Sequence, residues 1–295
     1  MIRYEDLHTR ATLVAVHITT WSARKFDREV TTKINDSHNL SHDVGRYNKR
    51  LLAAGSNSWK ELIKICSAAR TSHYENTLAW SDDGYRLLPS ANYDSYMKIM
   101  RKHESAFEAA KSRFVGDYPM LMDSARDYLG AEEDGGMFRA SDYPPIGEVA
   151  ERFTMRSTPL PVPTSGDFRV KLPESEIKAL QKAVEEKVKA SADEAVADAR
   201  DRLVKVVGSI SDKLGEPDAI FRDSLINNAR DLTDVLSRLN VMGDKELEAM
   251  RQRVESELAA VEPQTLRDEP TVRKQVAQSA KKILTDMNQY SRRVK

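Results

Sequence analysis

The sequence predicts a mainly α protein in which an N-terminal helical unit with a small β element is followed by a long-helix hairpin or bundle. Three observations support this prediction. Charged residues make up 31% of the 295 residues, above the roughly 25% of an average domain. Apolar side chains recur every three or four residues over most of the chain. Between about residues 131 and 173 this spacing stops and prolines accumulate, which indicates a boundary near residue 172.

The first 21 residues fit either a helix or a strand. Leu7, Ala11, Val14 and Ile18 would lie on one helical face, but residues 12–21 are rich in β-branched side chains. We therefore expect a strand near residues 12–21 after a short helical lead-in.

Helices are predicted for residues 41–79 and 92–130. In the first range, apolar residues are spaced by three and four on either side of a polar break at residues 55–58, which favours two helices. The second range fits one or two helices, with Pro119 as a break or a first-turn residue. Residues 81–84, Ser-Asp-Asp-Gly, are typical of a turn.

Two extended runs are expected within the proline-rich segment. Residues 153–158 and 167–172 flank residues 163–166, Pro-Thr-Ser-Gly, and are expected to pair as a hairpin. With the strand near residues 12–21 they would form a small sheet that closes the N-terminal unit, residues 1–172.

Residues 173–295 are predicted to form an elongated helical hairpin or bundle. A first helix should run from about Glu174 to Leu214 and measure roughly 60 Å. From Ile177 to Leu214 ten apolar steps cover 37 residues, a mean of 3.7, which exceeds the 3.5 of a left-handed coiled coil. Further helices are expected near residues 221–239, 247–261 and 272–290, with short breaks that favour antiparallel packing.

Composition and missing motifs exclude several classes of function. The chain has 46 Lys and Arg against 46 Asp and Glu, so a general polycationic coat for nucleic acid is not expected. No signal peptide or membrane span is recognisable, and the single Cys66 cannot form an internal disulfide, so we expect a reducing cytoplasm. No phosphate loop, dinucleotide fingerprint or nucleophile elbow occurs, so we expect no cofactor and no enzymatic activity.

Aromatic and basic residues in three segments are the candidates for contact with a partner or a nucleic acid. Aromatic rings beside arginines can stack on bases or anchor a protein partner. A buried corner joining two helices is nevertheless the favoured interpretation of residues 73–89. Residues 271–295 carry seven Lys or Arg against one Asp, a net charge of 7 − 1 = +6, which suits an anionic partner or a solvated face. The candidates are Trp21, Arg24, Lys25, Trp80, Tyr85, Arg86, Lys281, Lys282, Arg292 and Arg293.

Metal and nucleophile signals are weak. His38 and His42 are four residues apart, as on one helical face, but their Asn, Ser and Asp neighbours suit a solvated loop better, so we predict no metal site. Cys66 and His73 are seven residues apart, about 10 Å along a helix, which is too far for a catalytic dyad. Cys66 is expected to be a core residue.

Several segments of the chain share their residues and their order with a known family. They are Trp21-Ser-Ala-Arg-Lys25, residues 77–89, Asp142-Tyr-Pro144, Pro161-Val-Pro163 and residues 167–170. The chain resembles, over roughly residues 10–180, a bacterial and phage family known only as a domain of unknown function, with Ala79 where we expect proline. The resemblance implies no catalytic residues. Some members are encoded near a MoxR-type AAA+ ATPase and a von Willebrand A-domain protein.

The first hypothesis is therefore a non-enzymatic helical accessory or scaffold protein of phage or mobile-element origin. It would act through protein partners, among them an AAA+ ATPase, and the stripes of its long helices favour a homo-oligomer. The alternative is a single-stranded nucleic-acid binder that stacks bases on residues 21–25 and 80–86 and uses the basic C-terminal helix as a clamp. A metal-dependent hydrolase using His38 and His42 is a distant third.

Overall fold

The computed structural model of the protein describes residues 4–40, 44–53, 55–80, 84–167, 172–216 and 219–294. Within these ranges the chain is mainly α-helical, which confirms the predicted fold class. The α-helices there are α1 (Leu7–Arg10), α2 (Arg28–Ser37), α3 (Asn57–Glu75), α4 (Tyr93–Leu129), α5 (Ile146–Glu151), α6 (Glu174–Gly215), α7 (Ser224–Leu239), α8 (Lys245–Val254), α9 (Pro263–Asp268) and α10 (Pro270–Val294). The strands are β1 (Ala11–Thr19), β2 (Arg24–Phe26), β3 (Asn48–Arg50), β4 (Leu78–Ala79), β5 (Arg86–Pro89) and β6 (Thr154–Pro161).

The contacts of the chain group it into two compact units, each built from separate stretches of sequence. Unit 1 consists of Met1–Ala15, Ser72–Lys98 and Thr158–Lys295, and unit 2 of Val16–Thr71 and Ile99–Ser157. The division predicted from the sequence, 1–172 and 173–295, does not coincide with this grouping. The physical reason is that apolar residues of β1, β4 and β5 are buried in one core with the C-terminal helices.

A helical bundle in unit 1 is built around α6, which packs against α7 and α10. The alanine-rich part of its stripe is fully covered, since Ala192, Ala195 and Ala199 are at most 1% exposed. Alanine adds no bulk beyond Cβ, so neighbouring elements can approach the α6 backbone closely there. The three further predicted helices correspond to α7, to α8 with a π-helical extension at Glu255–Ala259, and to α10, which confirms the predicted bundle.

A four-stranded sheet has the order β4-β5-β1-β6. β1 and β5 pair antiparallel, with Ala11 opposite Pro89 and Val14 opposite Arg86, and β5 pairs antiparallel with β4. The strands predicted near residues 12–21 and 153–158 are confirmed as β1 and β6. Most of the run predicted at 167–172 lies outside the described residues, and its first residue ends a 3-10 turn, Ser165–Asp167.

Unit 2 has an aromatic core between α3 and α4. Phe107, Phe114 and Tyr118 of α4 are buried, and the ring of Phe114 meets that of Phe153 edge-on, with 5.3 Å between centroids. α4 continues through Pro119 as a single helix.

The helix predicted between residue 41 and the break at 55–58 is wrong, because part of this segment is the strand β3. β3 pairs antiparallel with β2. The backbone N–H of Asp27 donates to the carbonyl of Tyr47, and that of Leu51 donates to Ala23, so hydrogen bonds on both sides of the strands keep the chain extended. The second helix of the predicted pair is confirmed as α3.

Candidate interaction surfaces

Trp21 and Trp80, both predicted to be stacking surfaces, are buried. Trp21 is 6% exposed in unit 2 and meets Tyr118 edge-on, with 5.9 Å between ring centroids. Trp80 is 5% exposed in the apolar core of unit 1. Neither indole presents a face to a base, so this part of the prediction is wrong.

Arg86 belongs to a cluster inside unit 1 that consists of Thr77, Arg86, Asp198 and Arg202, here called the Arg86 cluster. Arg86 donates through Nε to the Thr77 hydroxyl (2.8 Å) and through Nη2 to Asp198 (3.1 Å). Arg202 donates to both carboxylate oxygens of Asp198 (3.0 and 2.8 Å) and to the carbonyl of Thr77 (2.7 Å). The backbone N–H of Ala79 also donates to Asp198 (2.8 Å). These bonds join β4 and β5 to α6.

The pKa values of Asp198, in the cluster, and of the nearby His73 are both lowered, which keeps the carboxylate charged and the imidazole neutral. Burial alone would raise the pKa of Asp198, but Arg202, the N–H of Ala79 and Arg86 outweigh burial and lower that pKa below its usual 3.8. His73 is buried, and its Nδ1 lies 2.9 Å from the hydroxyl oxygen of Tyr96. Burial, and then the charge of Arg86, lower the pKa of His73 to about 4. Its imidazole is therefore neutral at pH 7.

The buried corner predicted between two helices at residues 73–89 does lie between α3 and α4, and it contains a β-hairpin of β4 and β5 that was not predicted. Tyr85 is half-buried against the core of unit 1. Tyr74 is exposed, and the guanidinium carbon of Arg86 lies 4.8 Å from the centroid of its ring. Strands of two and four residues show too little alternation to be recognised in a sequence, which is why the hairpin was not predicted.

Arg24 and Lys25 lie on a two-stranded antiparallel ribbon formed by β2 and β3 in unit 2. Its register places Arg24 opposite Arg50 and Phe26 opposite Asn48. Opposite residues share a face of a sheet, and so do alternate residues along a strand, so these four side chains lie on one face. All four are exposed, and Phe26 is 44% exposed. Lys25 is exposed as well but belongs to the other face.

Arg46 adds a third arginine to this face, because its guanidinium carbon lies 5.7 Å from the ring centroid of Phe26. Arg46 is exposed. Among the described residues, no carboxylate lies within ion-pair distance of Arg24, Arg46 or Arg50. Arg24, Arg46, Arg50, Phe26 and Asn48 together form a surface that we call the arginine face. Sequence reasoning found Arg24, but not the residues that the register brings beside it.

Lys49 anchors the opposite side of the ribbon in a buried ionic cluster. It is 2% exposed, and its ammonium lies 2.7 Å from Asp142 and 3.3 Å from Asp27 and donates to the carbonyl of Met137 (2.8 Å). A guanidinium nitrogen of Arg139 lies 3.7 Å from Asp27. Burial alone would raise the pKa of Asp27, but a backbone hydrogen bond from α2 and the nearby Lys49 lower it. The contacts of Lys49 thus fix the position of the strand β3, which carries Asn48 and Arg50 of the arginine face.

The first four turns of α6 differ from the rest of the helix. None of residues 174–187, here called the α6 arm, is buried, whereas from Val188 onward buried residues recur every three or four positions. Ile177, Leu180 and Val184 continue the same stripe into the arm. Leu180 is 37% exposed, Ile177 is half-buried, and Val184 is half-buried against the core of unit 1. An apolar stripe that is covered along most of α6 is therefore only partly covered at its N-terminal end.

The C-terminal candidates are partly described. Lys281 and Lys282 are exposed on α10. Lys281 lines a groove of about 910 Å³ between α10 and the C-terminal end of α6. The side chains of Arg292 and Arg293 lie outside what the structure describes. Exposure of the two lysines is compatible with a solvated face as well as with a contact.

The remaining chemical candidates offer no metal or nucleophile site. His38 is exposed next to the C-terminal end of α2, and His42 lies outside the described residues. Among the described residues, no group of three or more His, Cys, Asp or Glu is placed to hold a metal ion. Cys66 is fully buried in the core of unit 2, as predicted, and burial raises the pKa of its thiol.

Comparisons of the chain with protein-family models, with curated proteins and with solved structures found no match. The resemblance to a bacterial and phage family of unknown function stays a prediction. In the described ranges, no helix combines the length and the apolar character needed to cross a membrane.

Proposed function

We propose that the protein is a non-enzymatic accessory or scaffold protein that acts through protein partners docked on the α6 arm. The observation that carries this proposal is the incompletely covered stripe of the arm, in which Leu180 is 37% exposed, Ile177 is half-buried and Val184 packs only partly against the core of unit 1. The arm extends a helix that is already formed, so its backbone order costs little, but its apolar side chains are incompletely removed from water. A partner helix laid over the stripe would bury these side chains and stabilise the arm.

The chemistry of the partner is supported only by the resemblance of the sequence. Because some members of that family are encoded near a MoxR-type AAA+ ATPase, such an ATPase is the partner to test first. An origin in a phage or mobile element, and action in the cytoplasm of a bacterial host, belong to the same proposal. So does self-association, since a second α6 arm could cover the stripe as well as a foreign helix could.

The test is a pull-down of the full-length protein from host cells, followed by mass spectrometry. Charges placed on the stripe by Ile177→Glu and Leu180→Glu should remove the protein companions. The control Lys178→Ala and Lys182→Ala changes the opposite side of the same turns and should keep them. Recovery of the same companions by both variants would refute docking on the arm.

Light scattering on the same proteins tests self-association. We expect an oligomer for the wild type and for the control, and a smaller species for Ile177→Glu with Leu180→Glu. A wild type that is monomeric at all concentrations would refute self-association without affecting the pull-down result.

The alternative expected from the sequence, binding of single-stranded nucleic acid, loses Trp21 and Trp80 as stacking surfaces and requires another site. A metal-dependent hydrolase using His38 and His42 receives no support from the described residues and is not proposed.

A further inference from the structure

We propose that the arginine face of the β2–β3 ribbon binds single-stranded nucleic acid. This site does not depend on the α6 arm, so it goes beyond the function proposed above. Arg24, Arg46 and Arg50 would hold phosphates, and Phe26 would stack on a base.

The first argument is the unfavourable pairing of Arg24 with Arg50. Like charges directly opposite each other on antiparallel strands destabilise the pair. The register places these two arginines in that relation, and no carboxylate of the described residues lies within ion-pair distance of either. The nearby acids Asp27 and Glu29 are paired with Lys49, Lys33 and Arg139 instead. A bound anion between the two guanidinium groups would replace repulsion by attraction.

The second argument concerns which anion the face suits. A guanidinium presents a planar fork of N–H donors that matches two oxygens of a phosphate. Phe26 is 44% exposed beside these arginines, so the face of its ring is accessible to a planar ligand. The guanidinium of Arg46, 5.7 Å from the ring centroid, can widen the stacking platform. The amide of Asn48 adds both a donor and an acceptor for a base edge.

These features favour a single strand over other polyanions. An acidic peptide could pair with the arginines but would leave the exposed ring of Phe26 without a planar partner. A duplex keeps the faces of its bases stacked on each other, so the ring would have no base to contact. A single strand offers phosphates and unstacked bases together.

The face is also preorganised, which favours binding because little order has to be created. Lys49 is fixed beneath it by Asp27 and Asp142. Backbone hydrogen bonds from Leu51 to Ala23 (2.9 Å) and from Asp27 to Tyr47 (3.0 Å) hold the two strands at their ends.

The zero net charge of the chain does not oppose this assignment. The Debye length is about 8 Å at physiological ionic strength, so exposed acids farther away are largely screened. Three arginines on one face, with no carboxylate of the described residues within ion-pair distance, therefore create a positive local potential even in a neutral protein.

The test is fluorescence anisotropy of a labelled oligothymidylate of about 16 nucleotides, titrated with the full-length protein. If three phosphates are neutralised, log affinity should fall with log salt with a slope of about −2, because each phosphate of a single strand contributes about −0.7. Arg24→Ala with Arg50→Ala should weaken binding about tenfold or more and make the slope less steep by about 1.4. Phe26→Ala should weaken binding about fivefold to tenfold and leave the slope unchanged.

The matched control is Arg101→Ala with Lys102→Ala, which removes the same charge from exposed positions of α4. It should keep the affinity within about a factor of two. Thermal unfolding should show that Arg24→Ala with Arg50→Ala is at least as stable as the wild type, since a repulsion has been removed. If this variant unfolds at a lower temperature, Arg24→Gln with Arg50→Gln replaces it in the titration.

Four outcomes would overturn the proposal. The first is no binding at about 50 mM salt, and the second is equal binding by the control and by the arginine variants. The third is competition by polyglutamate as strong as by unlabelled oligothymidylate. The fourth is equal affinity for duplex and single strand together with no effect of Phe26→Ala.

Discussion

The Arg86 cluster of unit 1 and the arginine face of unit 2 place the same side chain in opposite situations. In the Arg86 cluster, two guanidinium groups surround Asp198 and donate to it and to Thr77. On the arginine face, three guanidinium groups meet no carboxylate of the described residues. Arginines bonded within the fold contribute to its stability and have few donors left, whereas arginines without such partners keep their donors for a ligand.

The two strands of the ribbon repeat this contrast at shorter range. Lys49 and Lys25 are opposite each other in the register, yet Lys49 is buried between two carboxylates and Lys25 is exposed. The position of a cation in the sequence therefore does not distinguish support from ligand contact. A cation supports the fold when the tertiary structure brings carboxylates to it, and it stays free for a ligand when it does not. Substitutions can test this distinction.

The largest effect is expected for Lys49→Met, which leaves Asp27 and Asp142 without their shared cation. Removing one partner of a buried ionic group costs about 3 to 5 kcal/mol, and Lys49 is only 2% exposed. Lys25→Met, across the ribbon, is the matched control and should change the free energy of unfolding by less than about 0.5 kcal/mol. Urea unfolding followed by circular dichroism measures both. Similar values for the two variants would show that the Lys49 contacts do not stabilise unit 2.

Asp198→Ala should come next, with a loss of about 3 kcal/mol, because it leaves Arg86 and Arg202 facing each other without a counter-ion. The carboxylate is 23% exposed, so solvent reduces the effect below that of a fully buried pair. Asp201→Ala, an exposed position on the same helix, is the control. A loss no larger than that of Asp201→Ala would mean that the Arg86 cluster does not hold β4 and β5 to α6.

The pH dependence of stability should also depend on the region around Arg86. His73 has a folded pKa of about 4 and an ordinary value of 6.5, so between these values the unfolded state binds a proton that the folded state does not. Stability should therefore decrease as the pH falls, by about 2 kcal/mol between pH 7 and pH 4.5. The loss linked to the lowered pKa of Asp198 has the same sign but begins only near pH 4.

His73→Gln should flatten the dependence above pH 4.5, and His38→Gln, at an exposed histidine, should leave it as in the wild type. Unfolding in urea at a series of pH values measures the slope. An equal slope in His73→Gln and the wild type would show that another group is responsible.

The parts of this structure that depend on local periodicity could be predicted from the sequence, and the parts that depend on long-range pairing could not. The 42 residues of α6 repeat an apolar and alanine spacing that only a helix satisfies, so the predicted bounds are confirmed within one residue, and the predicted stripe is confirmed as buried from Val188 onward, with Val207 buried in place of Val206. β2 and β3 have three residues each, Arg-Lys-Phe and Asn-Lys-Arg, and neither run shows a periodic pattern. Lys49 on β3 contacts Asp27 and Asp142, and the strands are held by backbone hydrogen bonds between Ala23 and Leu51 and between Asp27 and Tyr47, contacts that no local pattern reveals. For the same reason, Arg24 was identified as a candidate without Arg50.

The smallest expected effect is the sharpest test of the contrast, because Arg24→Glu would convert part of the arginine face into an internal ion pair. An opposite-charge pair across two antiparallel strands contributes about 0.2 to 1 kcal/mol, and the variant also removes a repulsion with Arg50. We expect a gain of about 0.5 kcal/mol in urea unfolding together with loss of oligothymidylate binding. Arg101→Glu, at an exposed position of α4, should show neither change. A loss of stability in Arg24→Glu would indicate that Arg24 has an acidic partner in the native protein, which would make it a structural arginine like Arg86.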